Sequence, residues 1–145
     1  MKVHCRANSG ADLPTAFLDE AAGFGRGARF HVTPGLLYTV YALTTRRGRI
    51  WYYICDDRHL NYPVWYPAPL FDVTDRSLSR FWVFAYVSFE RDGDAVFAFK
   101  EWADDPGGFY DRLSDGDPSA VEVFRDYRRL MELEGSSGSE ELSTD

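Results

Sequence analysis

The sequence predicts an α+β fold in which a bent, mainly antiparallel sheet carries an added hairpin and is covered by a C-terminal helix. Three observations support this prediction. Aromatic residues make up 17% of the chain, two segments have the apolar patterning of β-hairpins, and one segment near the end has helical spacing. Aromatic side chains favour strands because flat rings pack well on a pleated surface. The 145 residues have the length of one ordinary domain.

Two elements are predicted before residue 30. The segment "KVHC" reads as a short first strand that ends at the turn-like "ANSG", residues 7–10. Residues 12–23 have the signals of a short helix, with Asp12 as the N-cap, Pro14 in the first turn and Gly23 at the end. We expect this helix to turn one apolar face inward.

The clearest β signal lies in "GLLYTVYALTTRRGRIWYYICDD", residues 35–57. Both parities are largely apolar from Leu37 to Leu43 and again from Ile50 to Cys55, and "RRG" supplies a turn between the two runs. The segment therefore predicts a hairpin. Because both of its faces are apolar, it needs a second covering layer or the closure of a barrel.

The stretch "YPVWYPAPLF", Tyr62 to Phe71, contains three prolines. Proline cannot donate a ladder hydrogen bond, and it biases the residue before it toward an extended conformation. We therefore predict an extended segment at a sheet edge, followed by a short strand from Leu70 to Val73.

A second hairpin and a last helix complete the predicted domain. The runs "SRFWVFAYVSFE" and "AVFAFKEW" flank the Asp92–Gly93 pair, which suits a tight turn. The helix over residues 118–133 begins after Asp117 as its N-cap and covers the sheet with one apolar stripe. That stripe comprises Ala120, Val123, Phe124, Tyr127, Leu130 and Met131. Residues 1–134 form the predicted domain, and residues 135–145 are predicted to be a disordered acidic tail.

The first half of the chain carries a pattern of its own. Its pieces are the strand ending at Cys5 before "NSG", then "VTPGLLYTVY", "YYICDD" and "WYPAPLF". This pattern resembles small, uncharacterised bacterial and phage proteins with an SH3-like barrel. Leu36 stands where the pattern usually has Lys, and the insertion between Gly10 and Phe30 is additional. The resemblance implies a small barrel in residues 1–75, leaves the hairpin and helix of residues 76–134 outside it, and implies no reaction.

Charge and hydropathy narrow the classes of function. The net charge is −7; residues 1–60 contain eight basic and five acidic residues, whereas residues 61–145 contain eight basic and eighteen acidic residues. An acidic field disfavours nucleic acid and suits a basic partner protein. No apolar run reaches the roughly 20 residues that a membrane helix needs, and the N-terminus lacks the apolar region of a signal peptide. We therefore expect a cytoplasmic protein without a membrane partner.

Catalysis and metal binding are weakly supported by the residue types. His4 and Cys5 are adjacent and would face opposite ways on a strand, and no Cys-x-x-Cys spacing exists, so we predict no metal and no cofactor. Cys55 has His59 and two aspartates nearby, yet a cysteine that ends an apolar strand is usually buried and inert. We predict no catalytic residue and two free thiols, and we keep an enzyme or small-ligand module using the Cys55–His59 loop as an alternative.

The best candidates for binding are aromatic residues that the two hairpin strands and the proline-rich stretch bring together: Trp51, Tyr53, Tyr62, Trp65 and Tyr66. Small SH3-like barrels present such residues in a groove that accepts an extended peptide. We therefore predict a non-enzymatic protein-binding module, with a toxin-neutralising immunity protein as its concrete form. A further alternative is single-strand nucleic-acid binding through the Arg46–Tyr53 hairpin. The sequence leaves the partner and the oligomeric state open.

Overall fold

The computed structural model describes residues 1–88 and 94–144, and it describes side chains for residues 1–86 and 94–134. The predicted Asp92–Gly93 turn lies outside the described residues. Residues 135–145 were predicted to be a disordered acidic tail; the backbone of residues 135–144 is described and belongs to the helix Pro118–Thr144.

Within the described ranges, the strands form two antiparallel sheets. The smaller sheet has the order β2-β1-β6 and consists of β1 (Lys2–Cys5), β2 (Leu37–Thr39) and β6 (Phe71–Asp75). The larger sheet has the order β5-β4-β3-β8-β7 and consists of β3 (Ala42–Arg46), β4 (Arg49–Ile54), β5 (Val64–Pro67), β7 (Trp82–Ser88) and β8 (Asp94–Phe99). The helices are α1 (Lys100–Asp104), α2 (Pro106–Ser114) and α3 (Pro118–Thr144). The α+β class, the antiparallel pairing, the added hairpin and the C-terminal helix are therefore confirmed, while the described strands are divided between two sheets and close no barrel.

Three layers explain why the strands are apolar on both faces. Successive residues of a strand point to opposite faces, so Tyr52 and Ile54 of β4 lie in one core and Tyr53 packs against another. The core between the sheets contains Val3, Cys5, Tyr38, Val40, Tyr52, Ile54, Tyr66, Leu70 and Phe71. The core between the larger sheet and the helices contains Ala42, Val96, Ala98, Phe99, Trp102, Phe109, Leu113, Ala120, Phe124 and Met131.

The first predicted hairpin is confirmed from Ala42 to Ile54, but the prediction of one strand from Leu37 to Leu43 is wrong. The chain changes sheets in the middle: the Val40 amide donates to the Met1 carbonyl (3.1 Å), whereas the next amide, Tyr41, donates to the Tyr53 carbonyl (2.9 Å). Each sheet thus satisfies one of two neighbouring amides. At the hairpin turn, Arg47 and Gly48 have φ of 53° and 75°, the left-handed pair that a two-residue turn requires.

The predicted helix over residues 12–23 is replaced by three short 3₁₀ turns, Gly10–Asp12, Thr15–Phe17 and Glu20–Ala22. Leu13 is extended between the first two turns, as Pro14 after it favours. Ser9 caps the first turn in place of Asp12, while Gly23 ends the third at φ 87°, as predicted. A Cβ on Gly10 would lie 1.8 Å from the Gly25 carbonyl oxygen, so the segment doubles back too tightly for any other residue there.

The C-terminal helix begins as predicted. The Asp117 carboxylate accepts from the Ala120 amide (3.0 Å), and Ala120, Phe124 and Met131 are buried against the sheet. Leu130, which the apolar stripe placed inside, is 38% exposed. The larger sheet is also covered by α1 and α2, which were not predicted from the sequence.

Strand β7 is an edge of the larger sheet and keeps large apolar side chains in solvent. Val83 and Phe84 are 44% and 53% exposed, although they point to opposite faces. With Tyr86, which is 51% exposed, Phe84 gives this edge an exposed aromatic surface.

Candidate functional site

The register of β4 and β5 decides which aromatic candidates can be reached. Tyr52 pairs with Tyr66, and Tyr53 pairs with Trp65. Directly paired residues of an antiparallel ladder share a face, so the first pair enters the core between the sheets and the second faces the helices. Two of the five predicted binding residues, Tyr53 and Trp65, therefore lie together on the helical side.

These two rings form the floor of a cleft with a volume of about 330 Å³. The side walls are Trp102 of α1 and Tyr110 of α2, whose ring centroids lie 4.8 and 5.3 Å from that of Tyr53. The Tyr53 and Trp65 rings are stacked with centroids 6.4 Å apart. The cleft is further lined by Thr44, Thr45, Arg46, Asp94, Val96, Pro106, Gly107 and Asp111. We call this the aromatic cleft.

Polar groups surround the aromatic cleft. The Arg46 guanidinium carbon lies 5.1 Å from the centre of the Trp65 ring, within the range of a cation–π contact. Asp94 accepts from the Arg47 amide (3.1 Å), which fixes its position beside the hairpin turn. Asp111 is exposed, and no ion pair joins it to a cationic group of the described residues. The cleft thus combines one guanidinium with two carboxylates.

Burial holds the Tyr53 hydroxyl in its neutral form. It raises the Tyr53 pKa to about 12, so the hydroxyl keeps its proton at physiological pH. The Tyr110 hydroxyl instead donates to the Pro63 carbonyl (2.9 Å) and fastens α2 to the segment before β5. Of the two tyrosines of the cleft, Tyr53 is therefore the one whose hydroxyl remains available as a donor to a ligand.

The other three predicted binding residues have structural positions. Trp51 is 5% exposed and packs its ring 4.9 Å from Trp65, and Tyr66 is 6% exposed between the sheets. Tyr62 is half-buried and touches His59, with ring centroids 5.2 Å apart. Among these, Trp51 contacts the Trp65 ring but does not line the cleft.

Asp56 is a buried carboxylate that organises the loop between β4 and β5. It is 1% exposed and accepts hydrogen bonds from the Tyr66 hydroxyl, from the Arg58 and His59 amides (2.9 and 2.6 Å), and from His59 Nδ1 (2.9 Å). Burial alone would raise the Asp56 pKa, but these hydrogen bonds outweigh it, so the pKa lies below its ordinary value. Asp56 therefore stabilises the turn at Arg58 and His59 and, through Tyr66, anchors β5 to it.

The same loop contains the residues of the enzyme alternative. Burial raises the pKa of the Cys55 thiol to about 11, so little thiolate exists near neutral pH. His59 is engaged by Asp56, and both cysteines are free thiols. Within residues 1–86 and 94–134, no group of three or more His, Cys, Asp and Glu side chains is placed to hold a metal ion.

The arginine-rich turn lines a much smaller cavity of about 50 Å³. Its lining comprises Trp51, residues of the 3₁₀ segment including Asp19, and the three arginines Arg46, Arg47 and Arg49. The Trp51 indole nitrogen is buried and has no hydrogen-bond partner among the described groups. This cavity is too small for the stacked bases of a single strand, and its tryptophan is covered by Phe17 and Phe24.

Two residues of the aromatic cleft, Trp102 and Tyr110, were missed in the sequence analysis. The signal for Tyr110 was present in "DPGGFYDRLS", residues 105–114: Pro106 suits the first position of a helix, and Phe109 and Leu113 are four residues apart. Both are buried in α2, and Tyr110 lies beside them at the edge of that apolar face. A helix predicted there would have supplied the Tyr110 side of the cleft. Trp102 lies in the run "AVFAFKEW", which was predicted as a strand, but residues 100–104 form α1.

No family model matches the chain, and neither the search of curated proteins nor that of solved structures found a significant similarity. The described helices include none that is both long and apolar enough to cross a membrane.

Proposed function

We propose that this protein is a non-enzymatic module that binds another protein through the aromatic cleft. The observation that supports this proposal is the cleft itself. Four aromatic rings surround about 330 Å³ of space, and charged groups are among the lining residues. Tryptophan and tyrosine supply much of the binding energy at protein interfaces because they bury a large area with few rotatable bonds. Grooves lined by such rings accept extended peptide segments.

The expected partner is basic. The chain carries a net charge of −7, and its acidic residues are concentrated after residue 60. Several of them, Asp104, Asp105 and Asp111, lie on or next to the α1–α2 wall of the cleft. Such a field accelerates encounter with a basic surface and weakens with salt. An immunity protein that covers the basic active site of a toxin is the concrete form of this proposal.

Catalysis by the Cys55–His59 loop has less support. A raised thiol pKa disfavours the nucleophilic thiolate, and His59 is committed to the Asp56 turn. Nucleic-acid binding at the arginine turn has less support as well, because the adjacent Trp51 ring is buried and cannot stack on a base.

The proposal can be tested by affinity capture from a bacterial lysate at low and high salt. The immobilised proteins would be the intact chain, Trp65→Ala in the cleft, Phe84→Ala on the β7 edge and Leu37→Ala on the smaller sheet. Phe84 and Leu37 are both exposed and serve as matched controls. Circular dichroism and thermal unfolding would check that each variant is folded.

We expect one protein to be retained at low salt by the intact chain, Phe84→Ala and Leu37→Ala, and to be lost by Trp65→Ala. Loss with Phe84→Ala and retention with Trp65→Ala would move the interface to the β7 edge and contradict the proposed cleft. Retention that does not change with salt would contradict the basic partner.

A further inference from the structure

We infer that the aromatic cleft is a pocket for an arginine side chain of the partner, and that Arg46 occupies part of it in the free protein. This inference rests on the proposed function, because it names the group that the cleft would receive.

The first step is the nature of the walls. The faces of tryptophan and tyrosine rings are electron-rich and attract cations, and guanidinium groups stack on them readily because they are planar and weakly hydrated. Trp65 and Tyr53 form such a surface, with Trp102 and Tyr110 beside it. A cation in the cleft would meet the face of the Trp65 ring, which Arg46 already contacts, whereas the Trp102 ring is 1% exposed.

The second step is the charge of the lining. Asp94 and Asp111 supply two carboxylates and Arg46 supplies one guanidinium, so the lining has one unit of negative charge in excess. Asp111 has no ion pair within the described part of the chain, and the Tyr53 hydroxyl is neutral. A carboxylate beside an aromatic floor suits a guanidinium, which has five donors in a planar fork.

The third step concerns Arg46, whose own guanidinium lies where the partner's arginine would bind. Arg46 already places a guanidinium over the Trp65 ring at 5.1 Å, and no carboxylate of the described residues forms an ion pair with it. Arg46 therefore contacts the ring that the partner's arginine would use. An incoming arginine would compete with Arg46 for the Trp65 face and would be repelled by its charge.

This competition gives a prediction with a definite sign. Arg46→Ala should strengthen the binding of an arginine probe by about 3- to 10-fold, because it exposes the Trp65 face and removes a positive charge a few ångströms away. Asp111→Asn should weaken binding by about 3- to 10-fold through the loss of the opposite charge. Trp65→Ala should weaken it at least as much.

The probe would be N-acetyl-arginine amide, with N-acetyl-citrulline amide as its uncharged counterpart of the same shape. Binding would be followed by NMR through the indole N–H signals of the intact, isotopically labelled protein. The signals of Trp65 and Trp102 should move. The signal of Trp82 should not move, because its indole donates to the Tyr41 carbonyl (3.0 Å) away from the cleft.

The arginine probe should shift the cleft signals, the citrulline probe should not, and Arg46→Ala should tighten the response. Equal responses to the two probes, no response to arginine, or weaker binding by a folded Arg46→Ala variant would overturn the inference. The lysate capture is an independent readout. If Trp65→Ala loses the partner but arginine gives no response, the proposed function is retained and the arginine pocket is rejected. If arginine gives a response but no protein is captured, the arginine pocket is retained and the proposed function is rejected.

Discussion

Replacing Asp56 by alanine should destabilise the protein more than any other single loss of a carboxylate in residues 1–134. The carboxylate is 1% exposed and accepts four hydrogen bonds, of which that from the Tyr66 hydroxyl is deepest in the core between the sheets. Water can replace the acceptor for the exposed Arg58 amide but not for Tyr66. The Tyr66 hydroxyl and the His59 amide would each lose a charged acceptor, and two such unsatisfied donors give a cost of about 3–5 kcal/mol.

Urea unfolding followed by tryptophan fluorescence would measure this cost. Asp72→Ala is the matched control, because Asp72 is exposed on β6, and it should change the free energy of unfolding by less than about 0.5 kcal/mol. A double-mutant cycle with Tyr66→Phe should give a coupling energy of about 1–3 kcal/mol. A loss below about 1 kcal/mol for Asp56→Ala, or a cycle that closes to zero, would refute the reasoning.

Three further predictions concern titration and capping. Because the Asp56 pKa is lowered in the folded protein, the stabilisation that this carboxylate provides is complete above the unfolded pKa of about 3.9 and is lost as the pH falls through the folded pKa. Free energies of unfolding measured from pH 7 to 2 should show this loss, and Asp56→Asn should make it smaller. Cys55, with a thiol pKa of about 11, should react slowly with a disulfide reagent near neutral pH and rapidly in urea; fast reaction of the folded protein would contradict its burial. Asp117→Ala should cost about 1 kcal/mol in urea unfolding through the lost N-cap of α3, whereas exposed Glu122→Ala should cost less than half of that.

Local chemistry made the hairpins and the edge strand predictable. The turn at Arg47 and Gly48 and the prolines of the 62–71 segment act on their immediate neighbours, so the sequence alone indicates where strands turn and which one lies at an edge. The start of α3 at Asp117 is local for the same reason. These are the parts of the fold that agree with the sequence analysis.

The sheet change at Val40 and Tyr41 was not predictable in this way. Both residues are apolar and both are buried, so the alternation continues unbroken while the hydrogen-bond partners change from Met1 to Tyr53. Similarly, alternation separates the two faces of β4 and of β5, on which Tyr53 and Tyr66 lie. It does not show which face has a cleft, because that depends on how the distant helices pack. The sequence therefore indicated the two residues of the floor, Tyr53 and Trp65, but not the walls, Trp102 and Tyr110.

Two short connections tie the sheets together: residues 40–41 between β2 and β3, and the 3₁₀ turn Ala68–Leu70 between β5 and β6. With covalent links this short, the sheets cannot slide or hinge by more than small amounts without breaking the core between them. The floor of the aromatic cleft, which the β4–β5 ladder holds on one of these sheets, therefore keeps its position in the free protein. Under the proposed function, this protein would lose little conformational entropy on association, and the main ordering cost would fall on the partner's own segment.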